Sequence, residues 1–218
     1  MCGIIGVIGH SKVSSLLIEG LKRLEYRGYD SAGIATLLNG KIDRRRSLGK
    51  IENLKKLLKK SPIKGNVGIG HTRWATHGIP SRTNAHPHSS GDVAVVHNGI
   101  IENYDVLRKD LERKNIIFES DTDTEVIAHL ISFFLKKNLS PLKATVTALK
   151  KVEGAFALGI IFSGINNYLI CAKRGSPLAI GKGKNCNYIG SDSIALAPLT
   201  QKLCYLNEGD IAEITSKD

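Results

Sequence analysis

The chain has 218 residues, enough for one large domain that buries roughly 70% of its unfolded surface without disulfide or metal support. Its hydrophobic and charged fractions, 42% and 23%, are ordinary for a globular protein, and no apolar run reaches the ~18 residues of a membrane span. The four cysteines (Cys2, Cys171, Cys186 and Cys204) have no CxxC spacing, and no secretory signal opens the sequence. These features predict a cytoplasmic protein with no membrane partner and no zinc site.

The net charge of +11 raises the question of nucleic-acid binding. The basic residues form short runs, such as Arg44-Arg45-Arg46 and Lys136-Lys137, and most of them fall on predicted helix faces or helix ends, where a solvated surface is the commoner role. Aromatic residues make up only 6% of the chain and do not alternate with the basic ones, so single strands would find no stacking platform. We therefore predict no nucleic-acid partner.

Hydrophobic periodicity predicts alternating blocks of strands and helices. The apolar, β-branched run between Gly3 and Gly9 predicts a buried first strand. The further predicted strands are 34–38, 41–48, 67–73, 93–97, 155–162, 168–173, 178–181, 187–189, 202–205 and 210–214, and the predicted helices are 14–26, 51–60, 103–114, 123–135 and 141–152. Asn39-Gly40 is a strong signal for a hairpin between the second and third strands. Strands on both sides of a helical block predict an α/β (α+β) four-layer αββα sandwich, in which two mainly antiparallel sheets stack between outer helices.

Cys2 stands directly behind the initiator methionine and directly before the first strand. Aminopeptidases generally remove Met1 when the next side chain is this small, and removal would leave Cys2 with a thiol and a free α-amine. An α-amine with a pKa near about 7.7–8.0 is well matched to a thiol near about 8.5, so it could serve as general base for that thiol. Alternatively, Cys2 is only a small hydrophobic residue in a strand.

A polar loop, Arg73-Trp74-Ala75-Thr76-His77-Gly78, follows the predicted strand 67–73. The planar fork of Arg73 can bond both oxygens of a carboxylate, which a lysine cannot do, so Arg73 is a candidate substrate clamp. A structural ion pair at the surface is the alternative. His71, His77 and the segment His86-Pro87-His88 lack the spacing of a metal site and are predicted to be hydrogen-bonding loop residues.

The predicted strand 93–97 leads into Asn98-Gly99. An amide side chain beside an exposed glycine N–H would supply the two donors of an oxyanion hole. Taken alone, the dipeptide is more typical of an ordinary turn than of an oxyanion hole.

Carboxylates cluster before the predicted helix 123–135, in Ser120-Asp121-Thr122-Asp123-Thr124-Glu125. One of these carboxylates could pair with a substrate ammonium. Helix capping is the usual duty of such residues and is the alternative.

These motifs together are far more specific than any one alone. Cys2–Gly6, Arg73–Gly78, His97–Asn103 and Thr122–Glu125 resemble the motifs of class II glutamine amidotransferases, whose glutaminase domains are N-terminal-nucleophile hydrolases. The segment Leu24–Gly33 is similar to the signature of the members that deliver ammonia to fructose 6-phosphate. The resemblance covers essentially the whole chain and implies one glutaminase domain over residues 1–218 with the four-layer N-terminal-nucleophile hydrolase fold.

The resemblance also implies the chemistry of the site. Cys2 attacks the side-chain amide of L-glutamine, and Asn98 and Gly99 stabilise the oxyanion. The residues that match the substrate-binding positions are Arg73, Trp74, Thr76, His77, Asp123 and Arg27. No metal or organic cofactor is implied.

Four of these positions carry a finer implied role. Arg73 holds the glutamine α-carboxylate and Asp123 holds the α-ammonium. Trp74 gates the path of ammonia, and Arg27 supports the Cys2 terminus.

The members that deliver ammonia to fructose 6-phosphate carry a larger second part, with two sugar-isomerase subdomains that bind this sugar phosphate. The sequence stops at Asp218, so we expect an isolated glutaminase domain that reaches fructose 6-phosphate only through the missing C-terminal domain, and a dimer in the full-length enzyme. Two alternatives stay open: the glutaminase domain of another class II amidotransferase, such as one acting with phosphoribosyl pyrophosphate, and a module that binds glutamine without cleaving it if Met1 is retained.

Overall fold

Two antiparallel sheets organise residues 2–218, the part of the chain that the computed structural model describes; the predicted removal of Met1 lies outside it. The strands are β1 (Gly3–Ile8), β2 (Ser31–Leu38), β3 (Lys41–Leu48), β4 (Val67–Arg73), β5 (His88–Ser90), β6 (Val93–Ile101), β7 (Gly154–Phe162), β8 (Leu169–Arg174), β9 (Ala179–Lys182), β10 (Asn187–Gly190), β11 (Lys202–Tyr205) and β12 (Ile211–Ile214). The helices are α1 (Val13–Arg23), α2 (Ile51–Lys60), α3 (Tyr104–Glu112), α4 (Thr124–Leu135), α5 (Pro141–Leu149) and α6 (Ser193–Leu196).

The larger sheet has seven strands in the order β11-β9-β10-β1-β4-β2-β3, and the smaller has five in the order β12-β8-β7-β6-β5. In the larger sheet β1 pairs with β10 on one side and β4 on the other, so the apolar start of the chain forms a central, wholly buried strand. In the smaller sheet β6 is flanked by β5 and β7. No helix in residues 2–218 is long and apolar enough to cross a membrane.

Side-chain alternation along the strands divides the core into three layers. Ile4, Ile69 and Val96 pack between the sheets. On the outer face of the larger sheet, α1, α2 and α6 cover a second hydrophobic layer, and α3, α4 and α5 cover a third on the smaller sheet. Each fully buried aliphatic side chain contributes about 1.5–3 kcal/mol relative to exposure. The predicted four-layer αββα sandwich is confirmed.

Most predicted elements occur within a few residues of their expected bounds. The hairpin is confirmed, because Leu38 pairs with Lys41 across Asn39 and Gly40, which both have positive φ. The helix predicted over 14–26 ends at Arg23 and is followed by a short 3-10 turn. The strand β5 and the helix α6 were not predicted, because three or four residues are too few to show a period.

One predicted boundary was wrong at a place that matters for the site. The strand predicted to end at His97 continues to Ile101, paired throughout with β7. Asn98 and Gly99 therefore lie inside a strand, and the ordinary-turn alternative is wrong. Gly99 has a φ of 133°, and a Cβ atom there would lie 2.0 Å from the Ala155 carbonyl oxygen, so only glycine fits.

Candidate active site

The inner faces of three strands bring the predicted polar residues together. In β1 the side chains of Ile4 and Ile8 face the other sheet, and Cys2 precedes Ile4 on the same face. The same alternation applies to β4, where Ile69 is followed by His71 and Arg73, and to β6, where Val96 is followed by Asn98. Residues far apart in the sequence therefore meet at one end of the layer between the sheets.

Cys2 is fixed by polar contacts. Because Gly3 pairs with Thr72, Cys2 lies beside the end of β4, and the N–H of Trp74 donates to Cys2 Sγ over 3.2 Å. The Cys2 carbonyl accepts from Asn98 Nδ2 at 3.1 Å and from Arg27 Nη1 at 3.3 Å. These bonds hold a chain end that would otherwise fray.

Burial raises the pKa of the Cys2 thiol above its ordinary value. The hydrogen bond from Trp74 N–H and the charge of Arg73 lower this pKa, but they do not outweigh desolvation. The thiol is therefore protonated at neutral pH, and nucleophilic attack requires a base to remove its proton.

Arg73 is a buried residue, with 3% of its surface exposed, rather than a surface arginine. Its Nη2 donates to the carbonyl oxygens of His77 and Gly78, which fold the 74–78 loop back over the guanidinium. Its Nη1 is 3.9 Å from Asp30 Oδ1 and has no hydrogen-bond partner within residues 2–218. A buried cation with an unused donor favours an anionic ligand.

Asp123 does not cap helix α4, although it occupies the N-cap position: its side chain makes no capping bond in the described chain. Asp123 Oδ2 accepts from the Ile101 N–H at 2.9 Å, and Oδ1 lies 4.0 Å from His77 Nδ1. The capping alternative is therefore wrong for Asp123.

Glu125 anchors the segment that precedes α4. Its carboxylate accepts from the N–H groups of Glu119 and Ser120 at 2.8 and 2.7 Å. Burial raises the pKa of Glu125, but hydrogen bonds from His129, Glu119 and Ser120 outweigh it and bring this pKa to about 2. The ionised carboxylate fixes the turn that carries Asp123.

Two adjoining cavities contain almost all of the predicted site residues. The smaller, of about 10 Å³, is lined by Cys2, Arg73, Trp74, Thr76, Gly99 and Asp123, together with His86, His97, Thr122 and Thr124. The larger, of about 450 Å³, is lined by Cys2, Arg27, Trp74, Thr76, Asn98, Gly99, Ile100, Ser176 and Pro177. His77 lies beside the smaller cavity through its contacts with Arg73 and Asp123.

Trp74 and Arg27 flank the mouth of this cleft. The Trp74 side chain is 55% exposed and packs on Gly28, where a Cβ atom would lie 2.8 Å from the indole ring. Arg27 Nη2 forms an ion pair of 2.6 Å with Asp192, which positions the guanidinium beside the Cys2 carbonyl.

His71, His86 and His88 are buried and hydrogen-bonded through their rings, as predicted, but His71 lies in β4 and His88 in β5 rather than in loops. For His77 the prediction is not confirmed, because its Nδ1 has no hydrogen-bond partner within residues 2–218. Thr124 Oγ1 lies 2.8 Å from His86 Nε2 and 2.9 Å from His97 Nδ1. The sequence offered one signal for His71, since it alternates in phase with Ile69 in a predicted strand. No group of three metal-ligating side chains occurs in the part of the chain that the structure describes.

The geometry defines a class of protein. Residues 71–198 match the family model of the glutamine amidotransferase domain. Two solved structures share the fold. The glutamine phosphoribosylpyrophosphate amidotransferase of B. subtilis aligns with a TM-score of 0.80 and 27% identity, over 99% of this chain and 49% of the other. An allosteric regulatory enzyme of purine biosynthesis aligns with a TM-score of 0.84 and 28% identity, over 98% of this chain and 47% of the other. The chain belongs to the glutamine amidotransferase family and has the N-terminal-nucleophile hydrolase fold, as predicted.

Within this family the chain is most informatively compared with two curated relatives. It is 55% identical over 214 residues to the glutamine–fructose-6-phosphate aminotransferase (isomerizing) of Mesorhizobium japonicum, covering 98% of this chain and 35% of the relative. It is 56% identical over 215 residues to the protein of that name from Zymomonas mobilis, covering 99% of this chain and 35% of the relative. The chain thus spans about a third of the length of these relatives.

Proposed function

We propose that this chain hydrolyses L-glutamine to L-glutamate and ammonia through a thioester on Cys2. The observation that carries the proposal is that Cys2, Arg73 and Asp123 line one small cleft. A nucleophile, a cation and a carboxylate match the side-chain amide carbon, the α-carboxylate and the α-ammonium of a single substrate. The chain corresponds to one glutaminase domain, residues 1–218.

The proposed reaction begins when the α-amine of Cys2, freed by loss of Met1, takes the thiol proton. The thiolate bonds to the amide carbon of glutamine, and an electron pair moves onto the amide oxygen, where Asn98 Nδ2–H and the Gly99 N–H stabilise it. The α-ammonium then protonates the nitrogen, the C–N bond breaks and ammonia leaves a thioester. Water, deprotonated by the amine, adds to the thioester, and cleavage of the C–S bond releases glutamate and the thiol. The raised pKa of Cys2 supports the need for this base.

Substrate binding rests on the buried charges. The unused Nη1 of Arg73 is a donor for the α-carboxylate, and the Asp123 carboxylate pairs with the α-ammonium. Thr76 and His77 complete the pocket. The bonds from Arg73 to the His77 and Gly78 carbonyls close the loop over the guanidinium, so glutamine enters when the loop moves.

The proposed destination of the ammonia is fructose 6-phosphate, which becomes glucosamine 6-phosphate in the full-length, cytoplasmic, dimeric enzyme. Identity to the two glutamine–fructose-6-phosphate aminotransferases is 55–56%, whereas identity to the phosphoribosylpyrophosphate amidotransferase of B. subtilis is 27%. This difference supports fructose 6-phosphate over phosphoribosyl pyrophosphate as the acceptor. Trp74, exposed at the cleft mouth, is the proposed gate of the ammonia path.

The test is an intact-mass spectrum followed by glutamine hydrolysis on the same sample. We expect a mass lacking one methionine, formation of glutamate, and its loss in Cys2→Ala but not in Cys204→Ala, which removes another unpaired thiol. A processed chain that binds glutamine without producing glutamate would make it a binding module. Full activity with Met1 retained would exclude the Cys2 amine as the base.

A further inference from the structure

His71 joins the two sheets beside the nucleophile. It lies in β4, is fully buried, and its Nε2 is 2.8 Å from the His97 carbonyl oxygen and 2.9 Å from Asn98 Oδ1, both in β6. No step of the proposed reaction uses this histidine.

The neighbours of His71 fix its protonation. A backbone carbonyl can only accept, so Nε2 carries the proton and donates it to the His97 carbonyl and to Asn98 Oδ1. Nδ1 has no hydrogen-bond partner in the described residues, so nothing holds a second proton there. Burial lowers the pKa of His71 to about 3, although the bonds to Asn98 and His97 oppose this, so the ring is neutral at physiological pH.

The donor on His71 decides which way the Asn98 amide faces. Oδ1 accepts from His71 while Nδ2 points to the Cys2 carbonyl at 3.1 Å. Rotating the amide by half a turn would set N–H against N–H at His71 and oxygen against oxygen at Cys2. Both hydrogen bonds would be lost, and the amide N–H groups would point away from the nucleophile.

We propose that His71 is a positioning residue that holds the Asn98 amide with its N–H groups toward the oxyanion formed at Cys2. The inference rests on the proposed function, because it assigns His71 a role through the oxyanion donor. It predicts a contribution to kcat from a residue that does not touch the substrate.

Substitutions that keep or remove the donor separate this role from simple packing. A glutamine side chain sets its amide nitrogen near the position of Nε2, whereas asparagine is too short. We expect His71→Gln to stay within about threefold of the parent, and His71→Asn and His71→Leu to lose roughly 10- to 100-fold in kcat, less than the 10²–10³ of a deleted oxyanion donor. KM for glutamine should change less than about threefold, because Arg73 and Asp123 bind the substrate without His71.

A double-mutant cycle with Asn98→Ala distinguishes an effect of His71 that acts through Asn98 from a purely structural effect. If His71 acts through Asn98, His71→Leu should cause no further loss of kcat in the Asn98→Ala background. Thr36→Val is the matched control: Thr36 is a fully buried residue of β2, remote from Cys2, and the change removes its hydrogen bond of 2.8 Å to the Lys64 carbonyl. It should lower thermal stability but not kcat.

Three results would overturn the inference: kcat of folded His71→Leu within twofold of the parent, losses that multiply in the cycle, or equal kcat for His71→Gln and His71→Asn. If His71→Leu does not fold, the comparison of kcat between His71→Gln and His71→Asn tests the inference instead. ¹⁵N NMR of the His71 ring at neutral pH, assigned with His71→Gln, tests the tautomer without activity: we expect Nε2–H, and Nδ1–H would refute the arrangement. A parent chain that releases no glutamate but shows Nε2–H would count against the proposed function and not against the His71–Asn98 contact.

Discussion

Replacing Arg73 with lysine should weaken glutamine binding far more than it slows the chemical step. The guanidinium uses Nη2 for the loop carbonyls of His77 and Gly78, which leaves Nη1 for the substrate carboxylate. A lysine has one nitrogen for all of these acceptors and no planar fork. The charge is kept, so the change tests geometry and not electrostatic attraction.

The magnitude follows from the bonds at stake. A hydrogen bond to a charged group contributes about 1.5–3 kcal/mol, and tenfold in affinity corresponds to about 1.4 kcal/mol, so losing one bond to the α-carboxylate should raise KM roughly 10- to 100-fold. The lost bond to the Gly78 carbonyl should cost about 1 kcal/mol of stability, or roughly 2–4 °C in Tm for a chain of this length.

The assay compares two substrates. With L-glutamine, Arg73→Lys should show the raised KM and a kcat within a few fold of the parent. With 4-aminobutanamide, which lacks the α-carboxylate, parent and variant should have similar kcat/KM. Arg45→Lys is the control: it also removes a guanidinium that donates to backbone carbonyls, those of Ser61 and Arg44, but at a site remote from Cys2.

Either of two outcomes would refute the carboxylate assignment for Arg73. An unchanged KM for glutamine would remove Arg73 from the binding site. Equal losses with glutamine and 4-aminobutanamide would show that the residue supports the loop without contacting the substrate.

Three further predictions follow from the same contacts. Asp123→Asn should raise KM for glutamine roughly 10-fold or more and leave 4-carbamoylbutanoate, which lacks the α-amine, comparatively unaffected; equal losses in steady-state assays of both would contradict the assignment. Gly99→Ala should be destabilised in urea titrations by about 1–3 kcal/mol or more, because its Cβ atom would lie 2.0 Å from a backbone oxygen; parental stability would be the contrary result. Stability should fall as pH drops below 6.5, because burial lowers the folded pKa of His71 and His88 to about 3 and only the unfolded chain takes up those protons. Urea unfolding at pH 7.5 and 5 should show a slope of up to about 1.4 kcal/mol per pH unit for each histidine, and a flat profile would show that these rings are charged in the fold.

The layers of the fold were predictable because local pattern and tertiary structure agree. Every outer helix except α6 shows apolar residues at helical spacing, and α2 occurs with the predicted bounds. The end of β6 was predicted wrongly because local pattern and tertiary structure disagree there. Asn98-Gly99 is a turn signal in isolation, but pairing with β7 overrides it, and partner strands so distant in sequence leave no local trace.

The site could not be assembled from spacing alone. The two sheets and the start of a helix contribute its main residues, Cys2, Arg73, Asn98 and Asp123. Only the family resemblance grouped these residues before the structure was known. Alternation could place His71 on the same face as Arg73, but no sequence pattern could show that its partner is Asn98, because that contact depends on how the sheets stack.

The stacking of the sheets is therefore part of the proposed catalytic geometry. Cys2 precedes a strand of the larger sheet and Asn98 lies in the smaller, and the hydrogen bonds that relate them, Asn98 to Cys2 and His71 to Asn98, cross the interface between the sheets. The spacing of that interface is set by close-packed aliphatic side chains such as Ile69 and Val96, which directly precede the polar residues on the same strand faces. Oxyanion donors must lie within a few tenths of an ångström of the developing charge, so a shift in this inner layer would alter the chemistry, whereas loosening under the outer helices would act mainly on stability.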